Sequence, residues 1–305
     1  MLTPADVQAA AGRIAPYVRT TPLRPTSRHG LWLKLENEQR SGAFKARGAF
    51  SALTALAPEQ RARGVVTHSS GNHGRALAEA AAELGCPATV VVPDNALPHK
   101  VAAIAAAGAQ VVVVPVAERA ARAAELVEQG LSYVPPFDHL DVMAGQGTVA
   151  LEILAQAADA ELTLGRVYAP IGGGGLLSGI AVALSDTDIE VVGVEPALAG
   201  DFTDSVARGR RVAWPVADTA RTVADGLRLP SVGEAPWAHL HALGVHALPV
   251  AEDDIVAAQR WLDEQGVRAE PSGAVSVAGA LQRTCGTRVD VAVVSGGNRA
   301  PDDQG

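Results

Sequence analysis

Lysine is scarce in this chain: Lys34, Lys45 and Lys100 stand against 22 arginines. A protein that carries surface charge on arginine has reason to keep a lysine for its amine, since an amine condenses with a carbonyl to a Schiff base and a guanidinium does not. Lys45 lies in SGAFKARGAF (41–50), among small residues and beside Phe44. An apolar, glycine-lined setting disfavours the charged amine, as a Schiff-base lysine requires. The plainer alternative is a lysine on a helix surface.

Two loops suit anions. Gly172, Gly173, Gly174 and Gly175 follow RVYAP and precede GLLSGIAVAL. Glycines let backbone N–H groups turn inward, and a helix N-terminus adds partial positive charge, so a phosphate can be held without a basic side chain. No G-x-G-x-x-G fingerprint is present, because its third glycine falls on Leu177 or Ser178, and there is no G-x-x-x-x-G-K-[ST] loop; the alternative is a flexible turn. THSSGNHGRALA (67–78) places two hydroxyls, an amide and an imidazole in one turn, with Gly71 and Gly74 exposing N–H groups. That turn suits a substrate carboxylate. His73 is open to two roles, proton carrier or structural hydrogen bonder.

Two further clusters are candidates. Ser295 opens SGGN (295–298) and could exchange one neutral hydrogen bond with a ligand ring; a tight turn is the alternative. VEPALAGD (194–201) carries Glu195 and Asp201 with a carbonyl between them, a donor set for Mg²⁺ or Ca²⁺, against solvated loop carboxylates.

The elements that must hold these residues alternate. Residues 64–69, 88–93 and 109–115 read as strands, and 71–85, 97–108 and 117–130 as helices closed by glycine. Strands at 165–171, 189–196 and 288–298 alternate with helices at 147–158, 175–184, 251–266 and 272–284, while 197–235 reads as loops and short helices. This pattern predicts an α/β fold of two lobes, each an open, mostly parallel sheet flanked by helices. Open parallel sheets bind ligands at the carboxyl ends of their strands, where both glycine-bearing loops fall.

Composition narrows the function. The 305 residues are 48% hydrophobic and 19% charged, enough for a sizeable core. A net charge of −8 argues against nucleic-acid partners. No apolar run reaches the roughly 18 residues of a membrane span, and the N-terminus lacks a secretory pattern. Cys86 and Cys285 make no disulfide framework or zinc knuckle, so a reducing, cytoplasmic setting is expected.

Together the motifs SGAFKARGAF, SSGNHGRALA, AGQGTVALEIL, GGGGLLSG, VEP, ADGL, EPSGA and SGGN resemble, in order, the serine/threonine dehydratase and serine racemase group. That group belongs to the tryptophan-synthase-β-like, fold-type II enzymes of pyridoxal 5′-phosphate. The resemblance implies a large cofactor-binding domain of residues 1–50 and 142–305, a small substrate-side domain of 51–141, and a homodimer. It makes Lys45 the Schiff-base lysine and the base at the substrate Cα, and sets Phe44 beside the ring. Asn72 would meet the 3′-oxygen, Ser295 the ring nitrogen, and Gly172 to Gly175 with Leu176 the phosphate. Ser70 would stand on the face opposite Lys45. Ser69, Gly71 and His73 would help hold the carboxylate of a small amino-acid substrate, and Arg119 matches an arginine near the site of serine racemase. Glu195, the Ala199 carbonyl and Asp201 match a divalent-cation site.

The activity so implied is β-elimination: L-threonine or L-serine to a 2-oxo acid and ammonia. A neutral serine at the ring nitrogen agrees, because it does not enforce ring protonation and leaves a weaker electron sink. Amino-acid racemisation and 3-hydroxyaspartate dehydration are the alternatives. The second is raised by Arg75, which stands where the group usually has glutamine and could face a second carboxylate.

Overall fold

Among the described residues, 1–299 in this computed structural model, ten strands divide between two sheets. The chain runs α1 (Pro4–Ile14), β1 (Leu23–Pro25), β2 (Leu31–Lys34), α2 (Lys45–Ala55), α3 (Pro58–Arg63), β3 (Val65–His68), α4 (Asn72–Glu83), β4 (Ala88–Pro93), α5 (Pro98–Ala106), β5 (Gln110–Val114), α6 (Arg119–Glu128) and β6 (Ser132–Tyr133). It continues through α7 (Leu140–Asp159), β7 (Leu164–Pro170), α8 (Gly175–Ala183), β8 (Glu190–Pro196), α9 (Asp201–Arg208), α10 (Val216–Thr219), α11 (Glu234–Ala242), β9 (His246–Val250), α12 (Glu252–Glu264), α13 (Pro271–Leu281) and β10 (Val289–Val293).

The larger sheet has the order β1-β2-β10-β7-β8-β9 and the smaller β5-β4-β3-β6. All pairings are parallel except β1 with β2. Helices bury both faces of the larger sheet, which is why its strands read as unbroken apolar runs. Along β10, Val291 and Val293 face the core shared with α7 and α8. Ala292 and Val294 face the core shared with α13. Side chains of consecutive strand residues point to opposite faces, so the β-branched run serves two cores at once.

Helix α7 begins seven residues before the expected start at 147. Val142, Met143 and Ala144 are buried there, and the His139 side chain accepts from the Asp141 N–H at the N-cap. Gly145 and Gly147 look like helix breakers in sequence. They sit where the Arg47 backbone of α2 and the Gly179 backbone of α8 come too close to admit a side chain.

A buried ionic cluster ties these elements together. Arg47 on α2 is fully buried and grips Glu36 with two bonds, Nε to Oε2 (2.8 Å) and Nη2 to Oε1 (2.7 Å). It also donates to Glu152 on α7, from Nη1 to Oε1 (2.7 Å) and from Nη2 to Oε2 (2.9 Å). Lys34, at the end of β2, donates to Glu152 (2.6 Å), the Thr21 carbonyl (2.7 Å) and Gln156 (2.8 Å). Every amine hydrogen of Lys34 is used, so this scarce lysine is structural. No helix among the described residues is long and apolar enough to cross a membrane.

Removing one partner of such a cluster leaves a buried charge unpaired. Arg47→Met is therefore expected to destabilise the fold by about 3–5 kcal/mol, as judged by denaturant unfolding.

Candidate active site

The amine of Lys45 is placed by the backbone before it. Ser41 and Gly42 both adopt left-handed conformations, with φ of 59° and 73°, and turn the chain sharply ahead of α2. Ala43 then bridges Gly296, and the Phe44 N–H donates to the Ser295 carbonyl (3.1 Å). The start of α2 is thus sewn to the carboxyl end of β10. Lys45 Nζ donates to the Pro136 carbonyl (2.7 Å) and lies 5.0 Å from the centre of the Phe44 ring. The side chain keeps some contact with the cleft, but protein around the amine strips its water and lowers its pKa to about 8.

The four glycines lie at the carboxyl end of β7, before α8. Gly174 has φ of 87°, a conformation that side chains resist. A Cβ at Gly173 would collide with the ring of Phe137. The backbone N–H groups of Gly172, Gly173, Gly174, Gly175 and Leu176 make no hydrogen bond to any described residue. Five donors pointing from a helix N-terminus, with no side chain in the way, fit a phosphate dianion. The cradle and the lysine share one wall: Pro136 holds the amine, and Phe137, the next residue, packs on Gly173 and Gly175.

The turn from β3 to α4 carries Ser69, Ser70, Gly71 and Asn72. The Gly71 N–H donates to Ser69 Oγ (3.3 Å). Ser70 lines a cavity of about 110 Å³ with Gly71, Asn72, Arg75, Lys100 and Asn298. Asn72 donates from Nδ2 to Glu270 Oε1 (2.6 Å) and accepts at Oδ1 from Asn298 Nδ2 (2.9 Å). His73 turns away from this cavity. Its imidazole is buried, with Nε2 on the Val134 carbonyl (2.9 Å), and burial together with the charge of Lys45 holds its pKa down at about 3. A neutral, enclosed ring does not suit a proton carrier.

Ser295 is buried at the end of β10 and donates to the Ser272 carbonyl at a long 3.4 Å. Arg119 opens α6, outside this cluster, with Nε on the Val116 carbonyl (3.1 Å). Its charge acts on His68, which burial already holds below the usual imidazole range. Arg75 pairs with Glu79 (2.9 Å) and donates to Asn298 Oδ1 (3.3 Å). Lys100 on α5 pairs with Asp225 in the segment between α10 and α11, an ion pair between the two sheets' halves of the molecule.

Glu195, near the end of β8, and Asp201, which opens α9, lie close together. Glu195 accepts from the N–H groups of Phe202 (3.2 Å) and Thr203 (2.6 Å) and from the Thr203 hydroxyl; Asp201 accepts from the Val232 N–H (2.8 Å). Burial pushes both pKa values up, to about 8 and about 7, and the charge of Asp201 raises Glu195 further. Among the described residues no three His, Cys, Asp or Glu side chains converge. A cation here would rest on two carboxylates, the Ala199 carbonyl and water, a donor set that suits a hard ion.

The sequence pattern of the pyridoxal-phosphate dependent enzymes matches residues 13–296. The chain belongs to this family. It is 37% identical to an L-threo-3-hydroxyaspartate ammonia-lyase of Saccharomyces cerevisiae, over 96% of this chain and 92% of that protein. It is 35% identical to a serine racemase of Arabidopsis thaliana, again over 96% and 92%. A solved threonine deaminase from T.th. superposes with a TM-score of 0.90 at 38% identity, covering 98% of this chain and 99% of that one. The chain is thus a fold-type II pyridoxal-phosphate enzyme of the group whose members eliminate or racemise. The cradle of unpaired N–H groups and the desolvated amine fit that cofactor.

Sequence reasoning passed over Phe137, Glu270 and Asn298 as site residues, although EPSGA and SGGN contain the last two. Phe137 left no signal, since nothing in PPFD marks it as the wall of a cradle. Gly173→Ala is expected to raise the dissociation constant for pyridoxal 5′-phosphate at least about tenfold, because the new methyl must displace the Phe137 ring. Absorbance titration of the apoprotein checks this.

Proposed function

We propose that the protein is an ammonia-lyase that converts L-threonine and L-serine to a 2-oxo acid and ammonia. The observation that carries the reading is Lys45: a desolvated amine with a pKa of about 8, on the same wall as a phosphate cradle. When bound there, pyridoxal 5′-phosphate supplies the electron sink for negative charge at the substrate Cα.

The residues divide the remaining work. Gly172 to Gly175 and Leu176 hold the phosphate through backbone N–H groups. The turn of Ser69, Ser70, Gly71 and His73 holds the substrate carboxylate, Ser69 through its hydroxyl, since its N–H donates to the Val91 carbonyl (3.2 Å), and the others through backbone N–H groups; Phe44 flanks the ring. Lys45 removes the Cα proton; an amine that titrates near 8 is an effective base close to neutral pH. Ser295 offers the ring nitrogen a hydroxyl and not a carboxylate, so it does not impose a proton on that nitrogen. Lys45, having taken the Cα proton, returns it to the departing β-hydroxyl, which leaves as water. The released enamine hydrolyses to the 2-oxo acid and ammonia.

Racemisation is a second reading, favoured by the Ser70 hydroxyl at the mouth of the cleft, where it could return a proton to the face opposite Lys45. Incubation with L-serine, D-serine, L-threonine and 3-hydroxyaspartate, followed by assay of 2-oxo acid and enantiomer ratio, separates the two. Pyruvate and 2-oxobutanoate are expected; inversion of serine without 2-oxo acid would overturn the lyase reading. Lys45→Ala is expected to abolish both reactions.

The lowered pKa of Lys45 sets a pH dependence. A free amine of pKa about 8 gains its reactive, neutral form as pH rises, so cofactor uptake by the apoprotein is expected to climb from about pH 6.5 and level off above about pH 9. A rate still climbing near pH 10 would mean that the amine is solvated. For Glu195 and Asp201, Mg²⁺ or Ca²⁺ is expected to raise the melting temperature by a few degrees, and Glu195→Gln to cancel that gain. An unchanged wild-type melt removes the cation.

A further inference from the structure

We propose that Arg75 and Glu270 are positioning residues, the two charged ends of an amide relay that decides which edge of Asn72 faces the cofactor. The inference rests on the reading of Asn72 as the partner of the cofactor's 3′-oxygen.

A side-chain amide has a donor edge and an acceptor edge, and only its neighbours decide between the two orientations. Here the neighbours leave no choice. The Ser41 carbonyl can only accept, and it takes Asn298 Nδ2 (2.8 Å). The Arg75 guanidinium can only donate, and it gives Nη1 to Asn298 Oδ1 (3.3 Å). Both edges of Asn298 are thereby fixed. Its Nδ2 also donates to Asn72 Oδ1 (2.9 Å), which turns Asn72 Nδ2 to the Glu270 carboxylate (2.6 Å). One Nδ2 hydrogen of Asn72 is then left for a ligand. The order Arg75, Asn298, Asn72, Glu270 runs from a cation to an anion, so each amide dipole is aligned by the next.

The relay also explains two features of the chain. A Cβ at Gly296 would land on Glu270 Oε1, so that glycine makes room for the carboxylate. Arg75 replaces a glutamine usual in the group; a glutamine can donate or accept, whereas a guanidinium imposes direction. With Glu79 (2.9 Å) fixing Nε and Asn298 taking Nη1, Arg75 is anchored at the head of the relay.

Glu270 caps α13 and is almost wholly buried. Burial lifts its pKa to about 7. Asn72 and the Asn298 N–H favour the ionised form, as does Lys100 on α5, while Asp225 opposes it. A protonated Glu270 could donate to Asn72 and release its orientation. The holoenzyme's visible absorption maximum should therefore shift across about pH 7.

The test is a mutant cycle read by cofactor dissociation constant and visible spectrum. Arg75→Gln and Glu270→Ala are each expected to weaken pyridoxal-phosphate binding about fivefold to tenfold, the worth of one hydrogen bond. The double variant should be no worse than the weaker single one, because both act through Asn72. In an Asn72→Ala background neither should have any effect. Glu270→Gln keeps an acceptor, so it should restore affinity while abolishing the pH step. Arg75 and Glu270 share no contact, so independent roles would multiply; multiplied losses, or losses that persist without Asn72, overturn the relay. If Glu270→Ala does not fold, the Arg75→Gln and Asn72→Ala cycle decides alone. An Asn72→Ala protein with wild-type affinity and spectrum sinks the reading of Asn72 itself; a weakened Asn72→Ala beside unaffected Arg75 and Glu270 variants sinks only the relay.

Discussion

Everything at the site depends on the buried ion cluster under helix α2. Two cations, Lys34 and Arg47, meet two carboxylates, the buried Glu36 and the partly exposed Glu152, in a space largely closed to water. Such a cluster contributes little net stability, since desolvation offsets the attraction. Its effect is geometric. The planar guanidinium of Arg47 fixes the rotation of the first turn of α2 against Glu36 and α7, and Lys45 is two residues upstream on that turn. A lysine side chain is long and flexible, so its amine can be held within reach of the cradle only if its Cα is held first.

A second constraint comes from sheet topology. Parallel strands send all their carboxyl ends to one edge. β10 leads into Ser295, β7 into the glycine loop, and β3, in the other sheet, into the serine turn. Strands of the smaller sheet fall within residues 65–133, and those of the larger lie on either side in sequence. The bonds from Asn72 to Glu270 and Asn298, and from Lys100 to Asp225, then join the two. The three lysines thus meet three ends: Lys34 inside the ion cluster, Lys45 at the cleft, Lys100 across it. Scarcity marked them as candidates but did not say which would be chemical.

The legible parts of the fold were those where local pattern and burial agree. The strand expected at 88–93 forms over those residues, because Val90, Val91 and Val92 are buried and only strands pack such runs on both faces. The N-terminal strands β1 and β2 carried no comparable pattern: LRP and LWLK are short, and β2 becomes a sheet member only by pairing with β10 from the far end of the chain. The early start of α7 was hidden for the opposite reason. Its glycines announce a loop locally, and only the crossing of α2 and α8 makes them helical. At the site, Lys45 and the glycine loop were visible because their chemistry is local, one amine and one turn. Phe137 and Glu270 act through residues tens to hundreds of positions away, which no spacing rule reports.

The glycine loop has a design with consequences for electrostatics. It presents no basic side chain, only backbone N–H groups at a helix start, whereas the cavity beside the serine turn is also lined by Arg75 and Lys100. Dipoles of this kind are fixed by the fold, so they need no reorganisation when charge arrives. They also act over a few ångströms inside a cleft, where salt screens weakly, whereas exposed lysines or arginines would lose their pull over a Debye length of about 8–10 Å. With anions held by neutral groups, the desolvated amine of Lys45 has no neighbouring cation of the cradle to lower its pKa further. Burial alone sets it. The amine is therefore kept basic enough to accept a proton while being neutral often enough to react, a balance that a cradle built from lysine or arginine would have tipped toward the neutral side.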